Sequence, residues 1–399
     1  MPRRGAAFVA VLAAMTLAAA ACSSPKPAAT EPPVVVVQSS PAGTGQSKYF
    51  VQADFDRQMA QRRIAPQGDP ATPWLQMIQP TMVDTSKYAK PGAKWHVCFS
   101  NASTSNPWRV TGLTTMKAEA KLHPEIGQLT VVDAQDKDDK QIADLAELQT
   151  KKCDVLIVSP STTTGLTPAV EQACQSGVPV VVFDRGVTTD CPVSFVHPIG
   201  GYAFGAASAE FIALKAGRGG KVLALRLLPD VDVLEHRWAA AKVVFEREGV
   251  DVVGVEFNNV DLAKAKTIVK DYVQRFGKLD GVWLDAGFAS VAVAEAFKEI
   301  GKPVPALTGE DQQDFLALWQ KTKLTAIAPT YPVYQWRTAL IAATYILSGK
   351  QVPKEWILPQ PVITADTLSK YLTPGMPPLF FPTCGCQKMP GFPRDWGGK

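Results

Sequence analysis

The chain has 399 residues, 46% of them hydrophobic and 20% charged, with 29 Gly and 32 Pro. That length allows two or three domains with substantial cores, and the balance excludes wholesale disorder, collagen and coiled coil. With 41 basic against 37 acidic side chains, a net charge of +4 gives no bulk field to hold nucleic acid or an anionic membrane, so affinity has to come from a pocket.

The N-terminus reads as an export signal over residues 1–21. Arg3 and Arg4 precede an apolar run too short for a comfortable transmembrane helix, and Ala19-Ala20-Ala21 offers small residues to a processing peptidase. Cys22 directly after them resembles the lipobox of bacterial lipoproteins, with Ala19 where Leu is usual, which implies lipidation of Cys22 and anchoring to the outer face of the cell membrane. A plain cleaved export signal is the alternative. Residues 22–47 carry Pro25, Pro27, Pro32, Pro33 and Pro41 among small residues, a tether that at ~3.1 Å per residue reaches roughly 70 Å. Residues 48–93 form an N-terminal extension without an assigned structure, including an amphipathic stretch over 55–64.

Six cysteines remain after Cys22, an even number suited to disulfides in an exported chain. Cys98 and Cys153 both fall near predicted strand starts, and Cys174 and Cys191 bracket a strand. Those two pairs are the economical ones, although sequence alone does not fix the connectivity. Cys384 and Cys386 then pair with each other or stay reduced. Cys-Gly-Cys lacks metal-knuckle spacing and has no His nearby, so no metal is expected.

From residue 94 onward, short β-branched runs alternate with helical patterns, the sequence form of a parallel sheet with crossover helices. The first block predicts strands over 96–100, 129–133, 155–159, 180–183 and 193–196, with helices over 108–122, 138–150 and 166–176. The second predicts strands over 221–227, 250–257, 281–284 and 306–309, with helices over 202–216, 235–248, 261–276 and 289–300. A strand over 324–328 and a helix over 335–348 follow. The expected fold is α/β, with two doubly wound Rossmann-like lobes joined by a multi-strand hinge. The lobes are 94–198 with 335–362, and 199–334; a tail over 363–399 packs across them. Hinge crossings are expected near 197–201, 330–335 and 358–362.

Ligands in such sheets sit at the carboxyl ends of the strands, and there the polar residues collect. Asn101 to Arg109 follow the first strand and Asp184-Arg185-Gly186 the fourth. In the second block Glu235 to Trp238 open a helix, while Asp285 and Glu310-Asp311 end strands. A sugar or polyol pairs vicinal hydroxyls with carboxylate or guanidinium and stacks its C–H face on an aromatic ring. Trp108, Trp238, Trp283, Phe288, Tyr331 and Tyr334 fall in or beside these loops, Trp283 more naturally as core. Asp184, Asp285 and Glu310 balance Arg109, Arg185 and Arg237, which points to a neutral ligand.

On these residues the chain resembles the type I solute-binding proteins of bacterial ABC importers, in the ribose, galactose and xylose-binding branch. The stretches that carry the likeness are Ser105-Asn106-Pro107-Trp108, Asp133-Ala134-Gln135, Val158-Ser159-Pro160, and Gly177-Val178-Pro179-Val180 running to Asp184-Arg185. The resemblance implies that Asn106, Asp184, Arg185 and Arg237 hydrogen-bond ligand hydroxyls, with Asp285 and Glu310 at two further positions. Tyr334 or Gln335 stands at the hinge-proximal amide position. Trp108 matches one stacking aromatic; Arg109 replaces the second, so a double-sided ring sandwich is not implied. Asp285, where the ribose binder has asparagine, admits a ligand presenting only donors, such as a linear polyol or an amine. The implied partners are a small neutral sugar or polyol, an ABC permease and, through the lipid, a membrane, with the protein a monomer needing no cofactor.

Enzyme motifs are missing: there is no Gly-x-Ser-x-Gly elbow, no His-Glu-x-x-His and no phosphate loop. Two readings compete with transport. One is a lipoprotein sensor passing sugar occupancy to a membrane receptor, and the other is a glycoside-cleaving enzyme using Asp285 and Glu310.

Overall fold

Two parallel sheets account for the two blocks of the sequence, in a computed structural model that describes residues 48–399. The expected signal segment, Cys22 and the Pro-rich tether lie outside the described residues. In chain order, α1 (Gln52–Gln61) and β1 (Met82–Val83) precede β2 (Trp95–Asn101), α2 (Pro107–Ala120), β3 (Ile126–Asp133), α3 (Asp138–Thr150), β4 (Val155–Ser159), α4 (Thr163–Gln175), β5 (Val180–Phe183) and β6 (Ser194–Pro198). The second block runs α5 (Gly201–Ala216), β7 (Lys221–Arg226), α6 (Asp232–Glu248), β8 (Asp251–Phe257), α7 (Leu262–Phe276), β9 (Gly281–Leu284), α8 (Ser290–Glu299), β10 (Ala306–Thr308), α9 (Gln313–Thr322) and β11 (Ala326–Pro329). The chain then returns through α10 (Gln335–Leu347), β12 (Val352–Pro353), β13 (Glu355–Leu358) and β14 (Val362–Ile363).

The first sheet has the order β13-β6-β5-β4-β2-β3 and the second β14-β11-β10-β9-β7-β8. All pairings in both are parallel except β14 on β11. Central strands such as Val-Leu-Ile-Val-Ser in β4 and Val-Val-Val-Phe in β5 are buried throughout, because crossover helices cover both sheet faces. The chain passes between the sheets three times: β6 to α5, β11 to α10, and β13 to β14.

Helix starts follow local chemistry. Asn106 caps α2 by accepting the Arg109 amide at 3.0 Å, with Pro107 at the first helical position, where no N–H is needed. Within the first lobe, Trp336 of α10 meets Phe99 at 5.7 Å, Phe183 at 5.0 Å and Trp108 at 5.6 Å between ring centroids, tying the core to the start of α2. In the second lobe α5 is built largely of Gly, Ala and Ser on its buried face, which lets α6 approach closely. A Cβ at Gly205 would lie 1.9 Å from the Arg237 carbonyl oxygen.

Cys98 is bonded to Cys153, Cys174 to Cys191, and Cys384 to Cys386. Among the described residues, no helix is long and apolar enough to cross a membrane.

The segments flanking the two blocks are ordered by contacts that periodicity does not reveal. The unassigned stretch of the extension is α1, whose Phe55 packs on Tyr202 of α5 and whose end places Arg62 2.7 Å from Glu210. Arg57 of the same helix reaches Glu355 of β13 at 3.4 Å, so the extension touches both lobes. The tail does the same. Phe380, Phe381 and Trp396 join the core of the first lobe, Leu368 joins that of the second, and the Phe380 carbonyl accepts the Gln313 amide at 2.9 Å.

Gly205→Ala should cost about 1–3 kcal/mol of stability, since α5 and α6 have to separate to admit the methyl group. Urea unfolding of the two proteins measures this, and an unchanged midpoint would contradict the close helix contact.

Candidate functional site

On the first lobe the site is built on three strand ends and one helix start. Asn101 ends β2, Ser159 ends β4, and Asp184 follows β5 in a left-handed backbone conformation, φ +69°. Such a conformation is unfavourable for a residue with a Cβ and is typical of functional positions. Arg109, on the first turn of α2, sends Nη2 to Asp184 Oδ2 at 2.6 Å and Nη1 to Ser159 Oγ at 3.1 Å and Asn101 Oδ1 at 3.3 Å. Arg109 is 2% and Asp184 8% exposed. Burial lowers the proton affinity of the guanidinium and the Asp184 charge works against that loss. Next to it, Arg185 donates to the Ser161 carbonyl.

The second lobe mirrors this arrangement. Arg226, the last residue of β7, donates from Nε to Asp285 Oδ2 at 3.2 Å, and its Nη2 lies 2.9 Å from Glu235 Oε1 as an ion pair without hydrogen-bond geometry. Asp285 also accepts the Leu227 amide at 2.8 Å, and burial pushes its carboxyl up to about 7 against the pull of Arg226. Arg237 Nη1 donates at 2.7 Å to both the Asp285 carbonyl and Glu310 Oε1, while its guanidinium lies 3.8 Å from the Phe204 ring centre. Glu310 is fixed from its other side by the Gly287 amide at 3.0 Å. The Nε of Arg237 is buried without an acceptor.

Tyr331, in the crossing between β11 and α10, joins the halves. Its hydroxyl donates to Asp184 Oδ1 at 3.1 Å, and its ring centre lies 5.3 Å from the Arg237 guanidinium and 5.6 Å from Trp108. The Trp108 indole N–H donates to the Tyr331 carbonyl at 2.8 Å. The carboxyl ends of the two sheets therefore meet across one aromatic residue.

Of the residues singled out from sequence, the structure gathers Asn106, Trp108, Arg109, Asp184 and Arg185 on one side and Arg237, Asp285 and Glu310 on the other. Tyr334 and Gln335 are engaged elsewhere. The Tyr334 hydroxyl donates to the Pro359 carbonyl at 2.5 Å, and the Gln335 amide donates to Pro332 at 3.0 Å in the turn that starts α10. The Gln335 side-chain oxygen is buried without a partner, and three residues before Tyr334 the same crossing supplies Tyr331, whose hydroxyl reaches Asp184. Arg226 is absent from the expected site residues, and Asn101 and Ser159, though within the stretches named, were not expected to hold Arg109. Their signal is a polar residue closing an apolar run, as Arg226 closes Lys-Val-Leu-Ala-Leu-Arg. The described residues bring His96, Cys98 and Cys153 together in metal-like proximity, but both sulfurs are spent in the disulfide.

Residues 97–351 match the family model described as a periplasmic binding protein domain. The chain belongs to this family. It is similar to the ribose import binding protein of Bacillus subtilis, with 26% identity over 285 residues that cover 70% of this chain and 92% of the relative. The ribose import binding protein of Haemophilus influenzae is 21% identical, over 64% of this chain and 87% of its own. Among solved structures, an ABC transporter solute binding protein from Thermobispora bispora has 26% identity and a TM-score of 0.62, covering 77% of this chain and 97% of that one. A myo-inositol-bound ABC transporter solute binding protein from Bacillus halodurans, 18% identical with a TM-score of 0.62 over 71% of this chain and 99% of that one, shares the fold. The protein is thus a type I periplasmic binding protein of the ribose branch. In such a binding protein, an array of carboxylates and guanidiniums at facing strand ends can grip hydroxyl groups without breaking bonds.

Beside Glu310, Asp311 is fully buried. It accepts the Thr383 hydroxyl at 2.5 Å, its Oδ1 has no partner, and burial raises its carboxyl to about 7 although the Thr383 bond opposes this. An unfolded Asp takes up its proton only below about 4. Between about 4 and 7 Asp311 stays protonated in the native protein and is ionised in the unfolded chain, so its contribution to stability falls as pH rises through that window. Asp311→Asn should remove this loss and gain a few kcal/mol over wild type between pH 4 and pH 8. Urea titrations at the two pH values check it, and a stability difference independent of pH would contradict it.

Proposed function

We propose that the protein captures a small neutral sugar or polyol between its lobes and delivers it to an ABC import permease. It is exported and held at the outer face of the membrane by a lipid on Cys22, and it acts as a monomer by binding alone, with no cofactor. The observation that carries this reading is the charge balance of the crevice. Arg109, Arg185, Arg226 and Arg237 stand against Asp184, Glu235, Asp285 and Glu310, most of them already joined in ion pairs. An ionic solute would leave one of these buried groups without its counter-charge, at several kcal/mol, whereas hydroxyl groups can insert into the array as donors and acceptors.

Trp108 gives the crevice one aromatic wall. Arg109, pinned to Asp184, replaces the opposite ring, so stacking is one-sided and polar contacts have to decide which epimer is accepted. The names of the ribose-import relatives and of the inositol-bound structure accord with a polyhydroxylated ligand. Contacts from both lobes form only when the halves come together, so the solute draws the open form toward the closed one by its differential affinity.

A thermal-shift screen of pentoses, hexoses, polyols and amino alcohols tests the reading. A solute at a hundred times its dissociation constant adds about 2.7 kcal/mol. Arg237→Gln, which keeps an amide donor for the Asp285 carbonyl, should weaken binding of the hit at least about tenfold. No stabilisation by any neutral hydroxylated compound, with stabilisation by charged ones, would overturn the proposal.

A further inference from the structure

Asp184 is the carboxylate best placed to accept a solute hydroxyl, yet both of its oxygens already have protein donors. Oδ2 holds Arg109 at 2.6 Å and Ser159 at 3.3 Å, both from the same lobe. Oδ1 holds the hydroxyl of Tyr331, which comes from the crossing and not from the lobe. The three groups differ in how firmly they are set. Arg109 and Ser159 are almost fully buried, whereas Tyr331 is partly exposed on a short irregular segment between β11 and α10. Tyr331 also presents a flat ring to Trp108, tilted by 45°, and places that ring beside Arg237 of the other lobe. A hydroxyl on a flat ring, donating to Asp184 and lying between Trp108 and Arg237, has the chemistry of the solute itself.

We propose that Tyr331 is a built-in competitor for the solute, a specificity residue whose hydroxyl occupies Asp184 until a ligand hydroxyl replaces it. The inference rests on the crevice being the solute site. To displace Tyr331, a solute has to supply a donor for Asp184 Oδ1 and a C–H face for Trp108 together. A compound with only one of these leaves either the carboxylate or the indole worse served than before. The filter costs affinity, because only the fraction of molecules with Tyr331 turned out can bind.

Isothermal titration of wild type, Tyr331→Phe and Tyr331→Ala with ribose, galactose, myo-inositol and ribitol tests this, alongside the melting temperature of each protein without solute. Removing the hydroxyl breaks a hydrogen bond to a charged acceptor, so Tyr331→Phe should melt lower without solute yet bind the accepted compound about tenfold more tightly. Tyr331→Ala should also bind more tightly. A merely structural tyrosine would lower melting temperature and affinity together, and that result, or equal affinity in wild type and Tyr331→Phe, overturns the inference while leaving the solute-site reading intact. If none of the three proteins binds any of these compounds, both the inference and the reading of the crevice fall.

Discussion

The crevice depends on one buried ion pair. Arg109 and Asp184 are both removed from water, a step that costs several kcal/mol per ion and is offset only when geometry is good and the remaining donors are used. Here the guanidinium also reaches Ser159 and Asn101, so a single side chain ties together the ends of β2, β4 and β5. That arrangement in turn requires α2 to begin where it does, with Asn106 capping it, and requires the backbone at Asp184 to turn left-handed so that the carboxylate faces the helix. Removing either partner would leave a buried charge uncompensated, so the pair holds the strand ends of the candidate site in place.

The second lobe solves the same problem with more groups. Arg226 and Arg237 are held by Glu235, Asp285 and Glu310, and the aromatic faces of Phe257 and Phe204 cover the guanidinium planes. The close approach of α5 and α6 at Gly205 sets where Arg237 emerges. Around this frame, α1 and the C-terminal tail add contacts on both sides of the crossings. Any opening of the lobes has to carry these contacts along or break them, so the flanking segments bear on closure although they lie outside the two sheets.

The alternating sheets and helices were legible because β-branched runs and helical spacing are local signals, and the strand-end positions of Asp184, Asp285 and Glu310 followed from them. What stayed hidden is non-local. A charged residue inside a helix reads as a solvated face, and nothing near Arg109 in sequence shows that its partners lie 8, 50 and 75 residues away. Helix α9 was passed over although Phe315, Leu316 and Trp319 have helical spacing, because the polar run before it reads as loop. Strand β13 is a four-residue run between prolines, too short to stand out. At the hinge, Tyr331 and Tyr334 are equivalent by sequence, and only the turn into α10 decides which one faces Asp184.

Hydrogen exchange with and without a neutral polyol that binds tests the central claim most directly. Residues 101–109 and 184–186 on one lobe and 226–237, 285–288 and 309–311 on the other should become protected together. Protection confined to one lobe, or appearing away from these strand ends, would contradict it.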